Sequence, residues 1–293
     1  MRNIGIIGAG EIGTALGGIL KRRNVVDLWD KDSAKSQTRK DLSHIVKEAG
    51  VVFLCVPSWA MTEVLEKIRP AISNETIVVS LAKGMLPGGV TMDQLLGDIL
   101  PNQAILAGPM LAEELNQSKP SVGVIAGPDK DVFNIVEMIF GDSNLKLTYT
   151  SDFRGAALAG VTKNVYSIAL GISDCLNLGS NVKGWLTVKS LEEMVKVVGF
   201  LGGKAETVRG LAGLGDLIAT GFSPYSLNHA VGEELVKTGK CSLVSEGLVS
   251  LDPLAASLDK FRQDLPLLFT ILGIKHHPGD TEALFNDFIK KYA

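Results

Sequence analysis

Three kinds of residue in this chain could do chemistry: lysines in apolar surroundings, a carboxylate beside a glycine-dense turn, and glycines at a phosphate-binding spacing. Lys163, followed at once by Asn164, lies in Gly155 to Ser173, GAALAGVTKNVYSIALGIS, which is otherwise small and apolar. Ala156, Ala159, Gly160, Lys163 and Ser167 recur at helical spacing and share one face. Small residues on such a face let a second backbone or a ligand come close. A lysine there is costly unless it has a partner or a task; the alternative is a lysine that snorkels its head out of a core helix. Asp216 follows the turn Gly210-Leu211-Ala212-Gly213-Leu214-Gly215, whose glycines let the chain pass close to something. It is either an acid facing that something or a simple helix cap. Lys83, after the apolar run Ile77 to Ser80, falls just past the carboxyl end of a buried strand. That is the edge where ligands bind in open α/β sheets.

The glycines are Gly8, Gly10 and Gly13 in Gly8-Ala9-Gly10-Glu11-Ile12-Gly13, set between the apolar run Asn3 to Ile7 and the helical pattern Thr14 to Arg22. This is G-x-G-x-x-G between a strand and a helix, the dinucleotide-binding context. Gly8 allows the tight turn, Gly10 lets the backbone approach a pyrophosphate, and Gly13 packs helix on strand. The amides at the helix start then face the anion. A second strand, Val25 to Trp29, ends at Asp30, where an acid hydrogen-bonds the adenosine ribose and repels a 2′-phosphate. NAD is therefore the expected cofactor. NADP stays possible because Lys31 and Lys35 lie close by.

The elements that must position these groups divide the chain. After a polar region, Lys31 to Lys47, come the strand Val51 to Val56, a helix from Ser58 to about Ile68, and strands at Ile77 to Ser80, Ala104 to Leu106, Ser121 to Ala126 and Leu145 to Tyr149. Beyond Ser151 and Asp152 the patterning is helical: Gly155 to Ser173, Thr187 to Phe200, Leu227 to Leu235, Pro253 to Phe261, a helix from Pro266 to about Gly273, and amphipathic Thr281 to Tyr292. The expected architecture is a Rossmann-like, doubly wound α/β sheet over 1–150 and an all-α substrate and catalytic domain over 151–293. At 293 residues, each domain is large enough for its own core. Hydrophobic content of 46% and charged content of 21% suit a soluble globular protein. A net charge of −3 with no basic arm argues against nucleic acid, and no apolar run reaches the length of a membrane span. Cys55, Cys175 and Cys241 are odd in number, far apart and without metal-ligand spacing, and the N-terminus turns glycine-rich too soon for a signal peptide. Together these suggest reduced thiols in a cytoplasm, and no metal is expected.

These residues add up to a resemblance. The chain resembles bacterial-type NAD(P)-dependent glycerol-3-phosphate dehydrogenase from end to end: in the fingerprint Gly8 to Gly13, Val56-Pro57-Ser58, Ala82-Lys83-Gly84, Gly108-Pro109, Ala112-Glu113-Glu114, Thr162-Lys163-Asn164-Val165, Gly210 to Leu217 and Glu246-Gly247. The resemblance implies that Lys163 protonates the substrate oxygen while hydride moves at the adjacent carbon. Lys83 would hold substrate near the nicotinamide, and Asp216 would be a substrate-site residue; its charge could also orient Lys163 and keep it protonated. It further implies a substrate set of Lys83, Gly108, Lys163, Asn164, Asp216, Thr220, Ser226 and Asn228. Its cofactor set is Gly8, Gly10, Glu11, Ile12, Gly13, Asp30, Pro57, Lys83, Ala112, Val244 and Glu246. A small-molecule substrate and a homodimer are expected with it.

Three departures open the question of substrate. The family has arginine where this chain has Leu227, and commonly serine where it has Met110; the linker after Asp30 is also shorter. That arginine serves the substrate phosphate and the cofactor; for the phosphate, Arg209 and His229 are the replacements nearest in sequence. Beside sn-glycerol 3-phosphate, the alternatives are another 2-hydroxy or keto compound, and a non-catalytic NAD-binding regulator. Retention of Lys83, Lys163, Asn164 and Asp216 weighs against the regulator.

Overall fold

A computed structural model describes residues 2–97, 99–100 and 102–293. They fall into two compact units, Met1–Ala82 with Met92–Arg154, and Lys83–Thr91 with Gly155–Ala293.

The first unit alternates β1 (Asn3–Ile7), α1 (Glu11–Leu20), β2 (Val25–Trp29), α2 (Leu42–Glu48), β3 (Val51–Leu54), α3 (Met61–Ile68) and β4 (Ile77–Ser80). Every residue of β3 and β4 is buried, as expected of β-branched strands covered on both faces of a parallel sheet. The chain then leaves for the second unit with a hairpin of β5 (Met85–Leu86) and β6 (Val90–Thr91). It returns as α4 (Met92–Gly97), β7 (Asn102–Ala107), α5 (Ala112–Asn116), β8 (Ser121–Ala126), α6 (Lys130–Phe140) and β9 (Leu145–Thr150). Among the described residues these strands form a seven-stranded sheet, ordered β2-β1-β3-β4-β7-β8-β9. All neighbours pair in parallel except β7 and β8. β1 is flanked by β2 on one side and β3 on the other, so strand order reverses at the end of β1, where the glycine fingerprint begins. The region read as simply polar, Lys31 to Lys47, includes the start of α2, because Asp41 caps it by accepting the His44 N–H at 2.8 Å.

From Gly155 onward the second unit contains α7 (Phe153–Cys175, whose first two residues belong to the first unit), α8 (Gly179–Phe200), α9 (Ala205–Arg209), α10 (Asp216–Gly221), α11 (Leu227–Thr238), α12 (Glu246–Ser257), α13 (Pro266–His276) and α14 (Thr281–Tyr292). α7 is the central post, and Gly155 through Ser173 are all buried. Its small residues admit other backbones: a Cβ on Gly171 would lie 2.1 Å from the His229 carbonyl oxygen, and one on Gly232 would lie 2.2 Å from that of Ile168. α12 begins earlier than the expected start at Pro253. Ser245 caps it by accepting the Leu248 N–H, and Leu248, Leu251, Leu254 and Ala255 carry a buried stripe through the proline. Tertiary burial there outweighs proline's poor helix propensity. The expected continuation to Phe261 is instead a separate short 3₁₀ segment, Asp259–Asp264.

Candidate active site

Lys163 sits midway along α7, within its buried stretch Gly155 to Ser173, and only 6% of it is exposed. The snorkelling alternative fails: its Nζ donates to Thr220 Oγ1 at 2.7 Å and lies 3.3 Å from Asp216 Oδ1. Thr220 in turn donates to Asp216 Oδ1 at 3.2 Å. Lys83 reaches the other carboxylate oxygen, Oδ2, in a direct ion pair. Asp216 thus bridges two lysines.

The glycine-dense turn explains how Asp216 arrives there. Leu211–Gly215 winds as a single π-helical turn, and a Cβ on Gly213 would come within 2.1 Å of the Val208 carbonyl oxygen. Only glycine permits that approach. Gly215 occupies the cap position of α10 without a side-chain bond, so the capping alternative for Asp216 also fails. Gly160 works similarly beneath Lys83, whose Cβ and Cγ lie 3.3 Å from where its own Cβ would be.

An amide relay fixes the backbone of Lys83. The N–H of Gly247, in the first turn of α12, donates to Asn228 Oδ1 at 2.9 Å. Asn228 Nδ2 donates to Asn164 Oδ1 at 2.9 Å, and Asn164 Nδ2 donates to the Lys83 carbonyl at 2.8 Å. Each amide is oriented by a backbone group at one end of the chain, so neither can flip without losing two bonds.

The electrostatics follow from burial and charge count. Burial pushes the Lys163 ammonium down, Asp216 opposes that, and Lys83 adds to it; the result is about 8. Burial also works against the Asp216 carboxylate, but Lys163 and Lys83 together outweigh it and hold the group below its ordinary value. The cluster therefore keeps one carboxylate charged between two cations. It also offers a lysine able to give or take a proton near neutrality.

In the first unit the fingerprint glycines have distinct jobs. Gly8 takes φ +105°, and a Cβ there would meet the Cys55 carbonyl oxygen at 2.5 Å. A Cβ on Gly13 would lie 1.9 Å from the Gly8 oxygen, so helix and strand touch there. Gly10 faces open space among the described residues and starts α1 with no side-chain cap. Glu11 and Ile12 form the first turn of α1. Asp30 reaches back to this loop, its Oδ2 accepting the Ala9 N–H at 2.7 Å. These residues suit a dinucleotide: an uncapped helix start for the pyrophosphate and a carboxylate for ribose hydroxyls. Pro57 precedes a 3₁₀ turn at Ser58–Ala60, Gly108 takes φ +104° after β7, and Ala112 opens α5.

The remaining expected residues are dispersed within the second unit. Ser226 caps α11 by accepting the His229 N–H at 3.2 Å. Glu246 opens α12, and Val244 in the preceding loop is 59% exposed. Of the two proposed replacements for the missing arginine, Arg209 is exposed at the end of α9. His229 is buried and its Nε2 is 2.8 Å from Asp174 Oδ2, so it is committed to a carboxylate rather than to a phosphate. Leu227, half exposed, starts α11, and Met110 packs its sulfur in the first-unit core beside Gly123. Sequence reasoning missed the partnership of His229 with Asp174 and the role of the Gly247 amide; no local pattern links residues so far apart in the chain.

Residues 33–133 match the N-terminal model, and residues 152–286 the C-terminal model, of NAD-dependent glycerol-3-phosphate dehydrogenase. A glycerol-3-phosphate dehydrogenase [NAD(P)+] from Chlorobium limicola is 34% identical, covering 80% of this chain and 79% of its own. One from Chlorobium chlorochromatii is 32% identical over 90% of each. The crystal structure of glycerol-3-phosphate dehydrogenase from Coxiella burnetii superposes with a TM-score of 0.90, at 28% identity and 99% coverage of both chains. The chain belongs to the NAD-dependent glycerol-3-phosphate dehydrogenase family.

Proposed function

We propose that the protein is an NAD(P)-dependent oxidoreductase that interconverts sn-glycerol 3-phosphate and dihydroxyacetone phosphate. The observation that carries this reading is Lys163, buried, bonded to Thr220 and facing Asp216, with its ammonium brought down to about 8. When bound, the nicotinamide supplies or accepts hydride at the carbon. Lys163 gives its Nζ proton to the forming alkoxide during reduction and takes it back during oxidation. Asp216 holds Lys163 and Lys83 in register, and the two cations favour negative charge on the reacting oxygen. Asn164, Thr220, Ser226, Asn228 and Gly108 complete the proposed substrate set. Gly8, Gly10, Glu11, Ile12, Gly13, Asp30, Pro57, Ala112, Val244 and Glu246 complete the cofactor set. The family matches do not favour another 2-hydroxy or keto compound, nor a non-catalytic regulator. NADH oxidation measured with dihydroxyacetone phosphate beside a panel of keto acids decides the matter: turnover confined to a keto acid overturns the reading.

We further infer a cytoplasmic protein that assembles as a homodimer. Three unpaired cysteines suit a reducing compartment, and among the described residues no helix is long and apolar enough to cross a membrane. Half-exposed Phe222, Tyr225 and Leu227 supply apolar surface that an assembly would cover. Cell fractionation and sedimentation test the two statements separately.

A further inference from the structure

We propose that His229 is a positioning residue: clamped between two carboxylates, it fixes the first turn of α11 and thereby the Asn228 amide that orients Asn164 and Lys83. The proposal rests on the dehydrogenase reading above.

Asn228 and His229 are consecutive, and each braces α7 at a different place. Asn228 bonds Asn164, while the His229 ring meets Asp174 ten residues further along the same helix. Those two anchor points are about 15 Å apart along the α7 axis. Between them lies Gly171, where the backbones of α7 and α11 touch with no side chain interposed. Such a smooth contact sets distance but not register, so the polar anchors on either side must set it.

The clamp has two jaws. His229 Nε2 is 2.8 Å from Asp174 Oδ2, and Nδ1 is 3.4 Å from Glu233 Oε1 one turn along α11. Lys183, from α8, holds Asp174 at 2.6 Å, and Lys237 holds Glu233. A ring with a nitrogen toward each carboxylate ties α7, α8 and α11 together at the level where α11 begins. If the clamp opens, α11 can slide on its glycine contact. Asn228 then leaves both Asn164 and the Gly247 N–H, and Lys83 loses its backbone anchor beside Asp216.

The test compares His229→Gln, which keeps one polar contact, with His229→Arg, which can address both carboxylates. In His229→Gln, kcat for dihydroxyacetone phosphate reduction is expected to fall about 10- to 100-fold, as for a misplaced catalytic constellation. The KM for NADH should stay within about twofold, since uniform cofactor binding is untouched. His229→Arg should recover most of the loss. Adding Asn228→Ala to His229→Gln should cost no more than Asn228→Ala alone, because the histidine acts through that amide. Hydrogen exchange at the Gly247 amide should quicken in His229→Gln, and likewise in the milder Asp174→Asn should the first variant fail to fold. Additive losses in the double variant, or unchanged Gly247 exchange in both single variants, overturn the proposal. If the wild-type protein does not reduce dihydroxyacetone phosphate, the dehydrogenase reading fails, and the Gly247 exchange still decides the clamp.

Discussion

Lys163 shows why residue type and surroundings together mark a candidate site. A charged group amid alanines and glycines is conspicuous in the sequence, and its partners Asp216 and Lys83 were each recognisable from their own local turns. What sequence could not show is that one carboxylate serves both lysines, since that depends on a meeting of residues 133 positions apart. Lys163→Ala is expected to reduce turnover at least about 100-fold with little change in NADH affinity, a general acid typically supplying 10²–10⁴-fold. Paired steady-state kinetics and NADH titration check this; retention of a tenth of the wild-type rate would remove the proton-transfer role. The lysine must be protonated to act as an acid, and its ammonium loses its proton near pH 8. Reduction should therefore fall as pH rises through about 8, and oxidation should rise over the same range. A profile of kcat against pH that is flat from 7 to 9 in both directions contradicts the assignment. Leu227 is the other residue at which a substitution speaks. An arginine there could fork onto a phosphate. Because the position is half exposed, solvent screens the gain, so Leu227→Arg should lower the KM for dihydroxyacetone phosphate by about 5- to 30-fold, the equivalent of about 1–2 kcal/mol.

At the scale of elements, the helices of the second unit were legible where a stripe of apolar residues had clear ends. Thr281 to Tyr292 matches α14 residue for residue. They were misjudged where tertiary burial overrode a local signal, as at Pro253, and where elements meet through buried polar groups. The start of α13 is such a meeting. Pro266 opens it, and the next two amides, Leu267 and Leu268, donate to Glu193 of α8 at 2.7 and 2.9 Å. Tyr166 of α7 donates its hydroxyl to the same carboxylate at 2.9 Å. One acid thus caps a helix and joins three elements, yet in sequence it is only one of two adjacent glutamates on an amphipathic pattern. Burial pushes its carboxyl up to about 7, although the donated bonds pull the other way. With a folded value above the unfolded one, the native state binds the extra proton between about pH 4.5 and 7, so stability falls as pH rises across that window. The effect is on the order of 3 kcal/mol. Tm measured at pH 5 and 7.5 should decline more in the wild-type protein than in Glu193→Gln. Equal slopes would show that Glu193 does not titrate there.

For the molecule as a whole, the alternation of strands and helices followed by continuous helix was readable because parallel strands buried on both faces are near-continuous apolar runs. The excursion of Lys83–Thr91 into the second unit was not, because a two-residue hairpin strand carries no periodicity. That excursion bears on the proposed chemistry: it takes Lys83 out of the Rossmann-like unit and gives it to the unit that holds Lys163 and Asp216. On the proposed reading, the first unit is left with one chemical decision, which nicotinamide cofactor to accept. Asp30 is held by two backbone donors, Ala9 N–H on Oδ2 at 2.7 Å and Asp32 N–H on Oδ1 at 2.9 Å. A carboxylate tied at both oxygens cannot easily swing away from an incoming group. Ribose hydroxyls can donate to it, whereas a 2′-phosphate brings negative charge against negative charge. The nearby cations are weak compensation: Lys35 is 61% exposed at its side chain and already lies 4.0 Å from Asp32. NADH should therefore be preferred over NADPH by about tenfold or more in kcat/KM, since a like-charge contact costs at least about 1.4 kcal/mol. Asp30→Ser removes the charge but keeps a hydrogen-bonding group, and it should narrow the ratio mainly by improving NADPH. If NADPH is already the better cofactor for the wild-type protein, Lys31 or Lys35 governs the choice and Asp30 serves only to tie β2 to the glycine loop.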